Sequence, residues 1–217
     1  NFDDTIKLSE YCSRIGLNAI SSIPPIYPPA GLASINQYYS DICAAADIPF
    51  IGYINTQSEA LVSNPDFLEH ISGIKNFIGC KLTTNSIYCI PWIKKILGGR
   101  FLLFTGKDEL CFQGLSLQSD GAIGLCQNLL PRAFAEMYQW FCAGDLKKAS
   151  AQQIKINEVI DSFQKIGKIV SSQKSILNYL GYQVGDARKP YEKITGPQIA
   201  VLQKSLMKNT FFVNNCI

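Results

Sequence analysis

The chain has 217 residues, 47% hydrophobic and 17% charged, with a formal net charge of +3, which suits one large globular domain or two small ones. No stretch approaches the roughly 18 apolar residues of a membrane span, no basic-then-apolar leader opens the chain, and the lysines form no stripe interleaved with aromatics. Membrane and nucleic acid are therefore not expected partners, and a cytoplasmic location is the default expectation.

Eight cysteines without a CxxC pair or regular spacing read as buried free thiols in a reducing compartment rather than a disulfide framework. A single histidine, His70, argues against a zinc site or a Ser-His-Asp triad, so no metal is expected.

The first residue is Asn, and the chain enters a helical pattern at once, with Leu8, Tyr11, Cys12 and Ile15 on one face and Gly16 as the stop; the start reads as internal. Ala19 to Ile23 is a short apolar run closed by Pro24 and Pro25, the pattern of a buried strand ending in a loop. A helical stripe follows through Leu32, Ile35, Tyr39, Ile42, Cys43 and Ala46, and Pro49 then opens a second strand through Phe50, Ile51 and Tyr53. A weaker helix at Asp66 to Glu69 leads to a short strand ending at Lys75, then a helix from Ile87 to Leu97 stops at Gly98 and Gly99.

Phe101 to Phe104 is the fourth strand; a helix through Leu110 and Leu117 and a small fifth strand, Ala122 to Gly124, come next. Pro131 suits the first turn of a helix carrying Phe134, Met137, Tyr138 and Phe141. Asp145 is placed to cap a long helix through Ile156, Ile160, Phe163 and Ile166, and two more helices are expected at Gln173 to Leu180 and Gln198 to Met207. Thr210 to Ile217 fit no helix pattern and read as a tail. Five apolar strands, each followed by a helix, imply a parallel sheet covered by helices, which flavodoxin-like sheets and barrels satisfy equally.

In such folds the reacting groups stand at the carboxyl ends of strands. Tyr53, Lys75, and the pair Asp108 and Glu109 are the polar residues expected there. A lysine following Gly73 and Ile74 would be partly desolvated and so primed to form a Schiff base with a keto acid, although a lysine snorkelling from a strand end fits the same pattern. Tyr53 could relay protons, or be a core tyrosine with its hydroxyl satisfied.

The order Pro25, Ile26, Tyr27; Phe50, Ile51, Gly52, Tyr53; Gly73, Ile74, Lys75; Gly106, Lys107, Asp108, Glu109; and Asp120 to Gly124 resembles the N-acetylneuraminate lyase and dihydrodipicolinate synthase family, over about Thr5 to Met207. Ser172 to Ser175 and Arg188 to Pro190 resemble the lyase branch in particular. The resemblance implies a (β/α)8 TIM barrel, here incomplete, holding about the last five βα units in residues 1–144. It adds a C-terminal helical extension in 145–209 and a tail in 210–217. It further implies a class I pyruvate aldolase, with N-acetylneuraminate cleavage the favoured reaction and dihydrodipicolinate synthesis or another pyruvate aldolase reaction the alternative. Lys75 would be the imine-forming lysine, with no cofactor beyond that covalent adduct, and Tyr53 the proton relay. Asp108 and Glu109 would bind the polyhydroxyl tail of a sialic acid, unless they only favour a helix N-terminus. The Ile123 backbone would border the pyruvate, and Tyr27 would reach a neighbouring subunit's site in a homotetramer of the full-length chain.

The sequence departs from the family pattern in several places. The first three βα units, with the loop that grips the pyruvate carboxylate, have no counterpart, which also allows a truncated, non-catalytic paralogue. From residue 53 to residue 75 is 22 positions, about half a dozen fewer than in family members. Phe77, two places after that lysine, stands where lyases carry threonine, and Leu125 where they carry serine.

Overall fold

The computed structural model describes residues 1–25, 28 and 30–216. They form two compact units, Asn1–Ile123 and Gly124–Ile217.

The first unit is built on five strands, β1 (Ile20–Ser22), β2 (Phe50–Asn55), β3 (Phe77–Thr83), β4 (Leu102–Thr105) and β5 (Gly121–Ala122). All neighbours pair in parallel, and their spatial order is their chain order. A doubly wound sheet reverses its strand order at a switch point; an unbroken order is that of a barrel wall. The sheet is thus a sector of a (β/α)8 barrel. Helices α1 (Phe2–Arg14), α2 (Leu32–Ala45), α3 (Pro65–Ser72), α4 (Ile90–Leu97) and α5 (Cys111–Ser116) alternate with the strands.

Side chains of a strand alternate between its faces, and the two faces here differ in kind. Phe50 and Ile54 of β2, Cys80 and Leu82 of β3 and Leu103 of β4 are buried beneath the helices, where they meet Tyr39 and Ile42 of α2 and Ile90 and Ile93 of α4. Phe77 anchors this core: its ring meets Tyr39 edge-on at 5.4 Å and stacks on Phe101 at 6.0 Å. On the opposite face Ile51, Tyr53, Asn55, Lys81, Thr83 and Phe104 are only half-buried.

Polar clamps hold the amino-terminal ends of the strands. The Asn76 side-chain amide donates to the carbonyls of Cys43, Ala46 and Ile48 at 2.9–3.1 Å, tying the end of α2 to the start of β2. Lys94 of α4 donates to Asp120 at 2.5 Å and to the Phe101 carbonyl at 2.7 Å, while the same Asp120 oxygen accepts from the Leu103 amide at 2.6 Å.

The second unit is helical. Helix α6 (Pro131–Cys142), opened by Pro131, packs on α7 (Leu146–Gln164), and Asp145 caps α7 by accepting from the Lys148 amide at 3.1 Å. α7 buries Ile156, Ile160 and Phe163 of the expected stripe, together with Val159, and ends at Gln164, before Ile166. α8 (Ile169–Tyr179) and α9 (Gly196–Lys208) complete it, α9 opening with a capping box between Thr195 and Gln198. The residues expected as a tail instead form α10 (Thr210–Asn215): Asn209 accepts from the Phe212 amide at 2.9 Å, and Phe212 is fully buried. A six-residue helix is too short to show a period, so its cap was the only sequence signal.

Candidate active site

The strand expected to end at Lys75 begins after it. Gly73 is the C-terminal cap of α3, with its amide bonded to the His70 and Ile71 carbonyls, so Gly73 and Ile74 are the exit from a helix. Lys75 lies exposed in the turn before β3, at the amino-terminal end of the sheet beside the Asn76 clamp. The structure does not bring it to Tyr53.

A different lysine faces that tyrosine. Lys81 pairs with Tyr53 in the β2–β3 register, and its ammonium stands over the Tyr53 ring, 4.1 Å from the centroid. The strand from Phe77 to Lys81 covers roughly 13 Å, so Lys75 and Lys81 belong to opposite ends of it. The half-buried ammonium gains from the negative face of the ring. Thr83, again on the same face, donates from its hydroxyl to Tyr53 Oη at 3.3 Å. An amine, a phenol and an alcohol thus converge at the carboxyl ends of two neighbouring strands.

This register also removes two of the departures noted in the sequence. From residue 53 to residue 81 is 28 positions, which restores the missing half dozen, and the residue two places after the lysine becomes Thr83. Phe77 is then a core residue, 4% exposed. Sequence reasoning missed Lys81 because Gly79, Cys80 and Lys81 echo Gly73, Ile74 and Lys75. The signal that separates them is the longer apolar run Phe77 to Leu82, interrupted only by the lysine.

The other expected site residues lie nearby in the fold or beyond what it describes. Asp108 is buried and opens a 3-10 turn over Asp108–Leu110 just past β4, with Glu109 half-buried beside it. Both residues have interactions within the protein. Ile123 follows β5, and its amide donates to the Thr105 carbonyl at 2.9 Å. Tyr27 lies outside the described residues. Leu125 belongs to the second unit and is 42% exposed.

Cysteines are poor competitors for a nucleophilic role here. Burial pushes the Cys43 and Cys111 thiols up to about 12 and Cys89 to about 11, and raises Cys80, next to Lys81, as well. At neutral pH such thiols stay protonated and inert. Among the described residues no group of three or more His, Cys, Asp or Glu is placed to hold a metal ion, and no helix is long and apolar enough to cross a membrane.

Known proteins agree with this architecture. The chain is 26% identical over 203 residues to N-acetylneuraminate lyase of Rhizobium meliloti (strain 1021), covering 94% of this chain and 67% of that protein. It is 26% identical over 210 residues to 4-hydroxy-tetrahydrodipicolinate synthase of Thermoanaerobacter sp. (strain X514), covering 96% and 70%. The fold superimposes on the wild-type sialic acid aldolase of Ruminococcus gnavus with a TM-score of 0.91 at 24% identity, over 99% of this chain and 71% of that one. Residues 1–208 match the model of one family. With a parallel barrel sector, a lysine at the carboxyl end of its third strand and a match over almost the whole length, this chain belongs to the dihydrodipicolinate synthetase family.

Proposed function

We propose that the protein is a class I pyruvate lyase that cleaves N-acetylneuraminate to N-acetylmannosamine and pyruvate, with Lys81 as the imine-forming amine and Tyr53 as its proton relay. Enzymes of the family are class I aldolases that form a Schiff base on a lysine and use no metal cofactor. One observation carries the assignment to these residues: Lys81 over the Tyr53 ring at 4.1 Å, with Thr83 bonded to the phenol.

The chemistry follows from that grouping. The Lys81 amine, once deprotonated, attacks the ketone carbon of the sugar acid, and loss of water leaves a protonated imine. The bond between the alpha and beta carbons then breaks, its electron pair forming the double bond of an enamine and neutralising the imine nitrogen, while the hydroxyl on the beta carbon gives up its proton to become the aldehyde. Tyr53 suits that transfer: its phenolic proton goes to the departing water as the imine forms, and the resulting phenolate, to which the Thr83 hydroxyl donates, then accepts the proton of the substrate hydroxyl. Protonation of the enamine and hydrolysis release pyruvate and restore Lys81. Asp108 and Glu109 would accept hydrogen bonds from the hydroxyls of the sugar tail, and the Ile123 backbone would border the pyruvate.

A second reading rests on the position of Asp108, buried in the first turn of a short helix. If the acidic pair serves that turn alone, the condensation of pyruvate with aspartate semialdehyde, or another pyruvate aldolase reaction, fits equally. Assaying cleavage of N-acetylneuraminate beside that condensation separates the two, and activity in condensation alone would discard the lyase. For the full chain we expect a homo-oligomer.

Trapping tests the mechanism independently of the aldehyde. Borohydride with pyruvate should fix an adduct on the peptide containing Lys81. Lys81→Arg should abolish it, because a guanidinium stays protonated, and Lys75→Arg should leave it intact. An adduct on Lys75, on any other lysine, or nowhere would overturn the assignment.

A further inference from the structure

Three loops leave the carboxyl ends of β2, β3 and β4, and a chain of side-chain contacts fastens them to one another. After β2, Asn55 folds a tight turn: its side-chain oxygen accepts from the Gln57 amide at 3.1 Å and the Ser58 amide at 3.3 Å. That turn delivers Glu59, the first residue of a 3-10 helix over Glu59–Ser63. The Glu59 carboxylate accepts from Ser86 Oγ in the loop after β3, and Thr84 of the same loop adds a second side-chain hydrogen bond. Thr84 is fully buried, and its Oγ1 accepts from the Ser86 amide at 2.9 Å. Between these two residues, Asn85 Oδ1 accepts from Lys107 Nζ at 2.6 Å. Lys107 belongs to the loop after β4, directly before Asp108 and Glu109. The bonds from Ser86 and Thr84, with the Lys107 charge nearby, hold the Glu59 carboxyl below the usual carboxylate range, so it is ionised at neutral pH.

The placement matters because these loops carry different parts of the proposed chemistry. Lys81 and Thr83 precede the Thr84–Ser86 segment on one strand, Tyr53 precedes Glu59 on another, and Asp108 and Glu109 follow Lys107 on the third. The imine needs only Lys81 and Tyr53, at the level of the strands. On the functional reading above, the aldehyde half of the sugar acid would extend beyond them, toward the loops.

We propose that Glu59, Asn85 and Lys107 are positioning residues. They form a clasp across the mouth of the site that holds the Asp108–Glu109 turn in register with Lys81 and so sets how well the aldehyde half is held, without touching imine formation. This rests on the functional reading above. The clasp joins the three loops by hydrogen bonds that no backbone pairing supplies, and Lys107 is the member that fixes the loop bearing the acidic pair.

Glu59→Ala and Lys107→Met in the full chain test it. Each should raise KM for cleavage of N-acetylneuraminate roughly tenfold with kcat changed less, while the rate of pyruvate trapping stays within about twofold. The double variant should lose little more than either single one, since both open the same clasp. Glu59→Gln keeps an acceptor for Ser86 and should restore most of the loss. Hydrogen exchange gives a second readout that needs no substrate: the peptide spanning Gly106 to Leu110 should exchange faster in Glu59→Ala. Unchanged KM together with unchanged exchange would overturn the clasp, as would a parallel fall in trapping and melting temperature, which would make Glu59 merely structural. If the parent protein traps no pyruvate, the functional reading fails, and the exchange measurement still decides the clasp.

Discussion

The two ends of this sheet carry similar residues to different purposes. At the amino-terminal end, Lys94 is only 10% exposed and is fully engaged by Asp120 and the Phe101 carbonyl, and Asn76 is spent on three carbonyls. At the carboxyl end, Lys81 rests on a ring face, a softer partner than a carboxylate, and Lys107 has Asn85 as its hydrogen-bond partner. A lysine's role is therefore decided by its place along the strand direction more than by its immediate neighbours in sequence. Lys75 and Lys81 both follow a glycine and an apolar residue, yet only one stands where a barrel sector places reacting groups.

Three substitutions probe this contrast. The largest effect belongs to the carboxyl end: Tyr53→Phe should lower turnover by about 100-fold or more, the usual scale for a positioned acid and base. It should leave pyruvate trapping measurable and the melting temperature within about 2 °C, since Tyr53 is only half-buried and its hydroxyl accepts a long bond from Thr83. Retained turnover would remove Tyr53 from the mechanism. At the amino end the expectation is inverted. Asp120→Ala strands the nearly buried Lys94 ammonium and the Leu103 amide, and should cost about 2–3 kcal/mol in urea unfolding, discounted because Asp120 is itself a third exposed. Activity per folded molecule should hold, and a loss of it would show that the two ends are coupled. The smallest effect should come from Lys75→Ala, within about 0.5 kcal/mol and with trapping unchanged, as for an exposed residue without a special contact.

Much of the barrel sector could be read from periodicity. The stripe Ile35, Tyr39, Ile42 and Cys43 is the buried face of α2, and the apolar runs at Phe50 and Phe101 are strands that occupy the interior. Periodicity failed where two residues imitated a strand: Gly73 and Ile74 satisfy an apolar lead into a lysine, but a helix cap uses the same residue types. The first helix shows another limit. Leu8, Tyr11 and Ile15 do share a face, yet they are 62%, 48% and 51% exposed, because a stripe predicts which residues lie together and not what covers them. Of the candidate site, Tyr53 and the acidic pair were visible from strand ends. Thr83 and the Glu59–Lys107 clasp were not, since their partners are set by register and loop closure between segments distant in sequence.

Gly106 bears on how the site could be altered. A side-chain carbon added there would fall 1.9 Å from Thr83 Oγ1 and 3.0 Å from the Leu82 carbonyl, which already accepts from the Gly106 amide at 2.7 Å. The backbone of the β4 loop thus rests directly on the residue that bonds Tyr53. In a mutagenesis library this position offers no useful diversity, because almost any replacement would displace Thr83 and with it the phenol. The three residues after it, Lys107, Asp108 and Glu109, can be varied for new substrates only while that glycine stays, so the route to altered specificity runs through side chains hung on an immovable hinge.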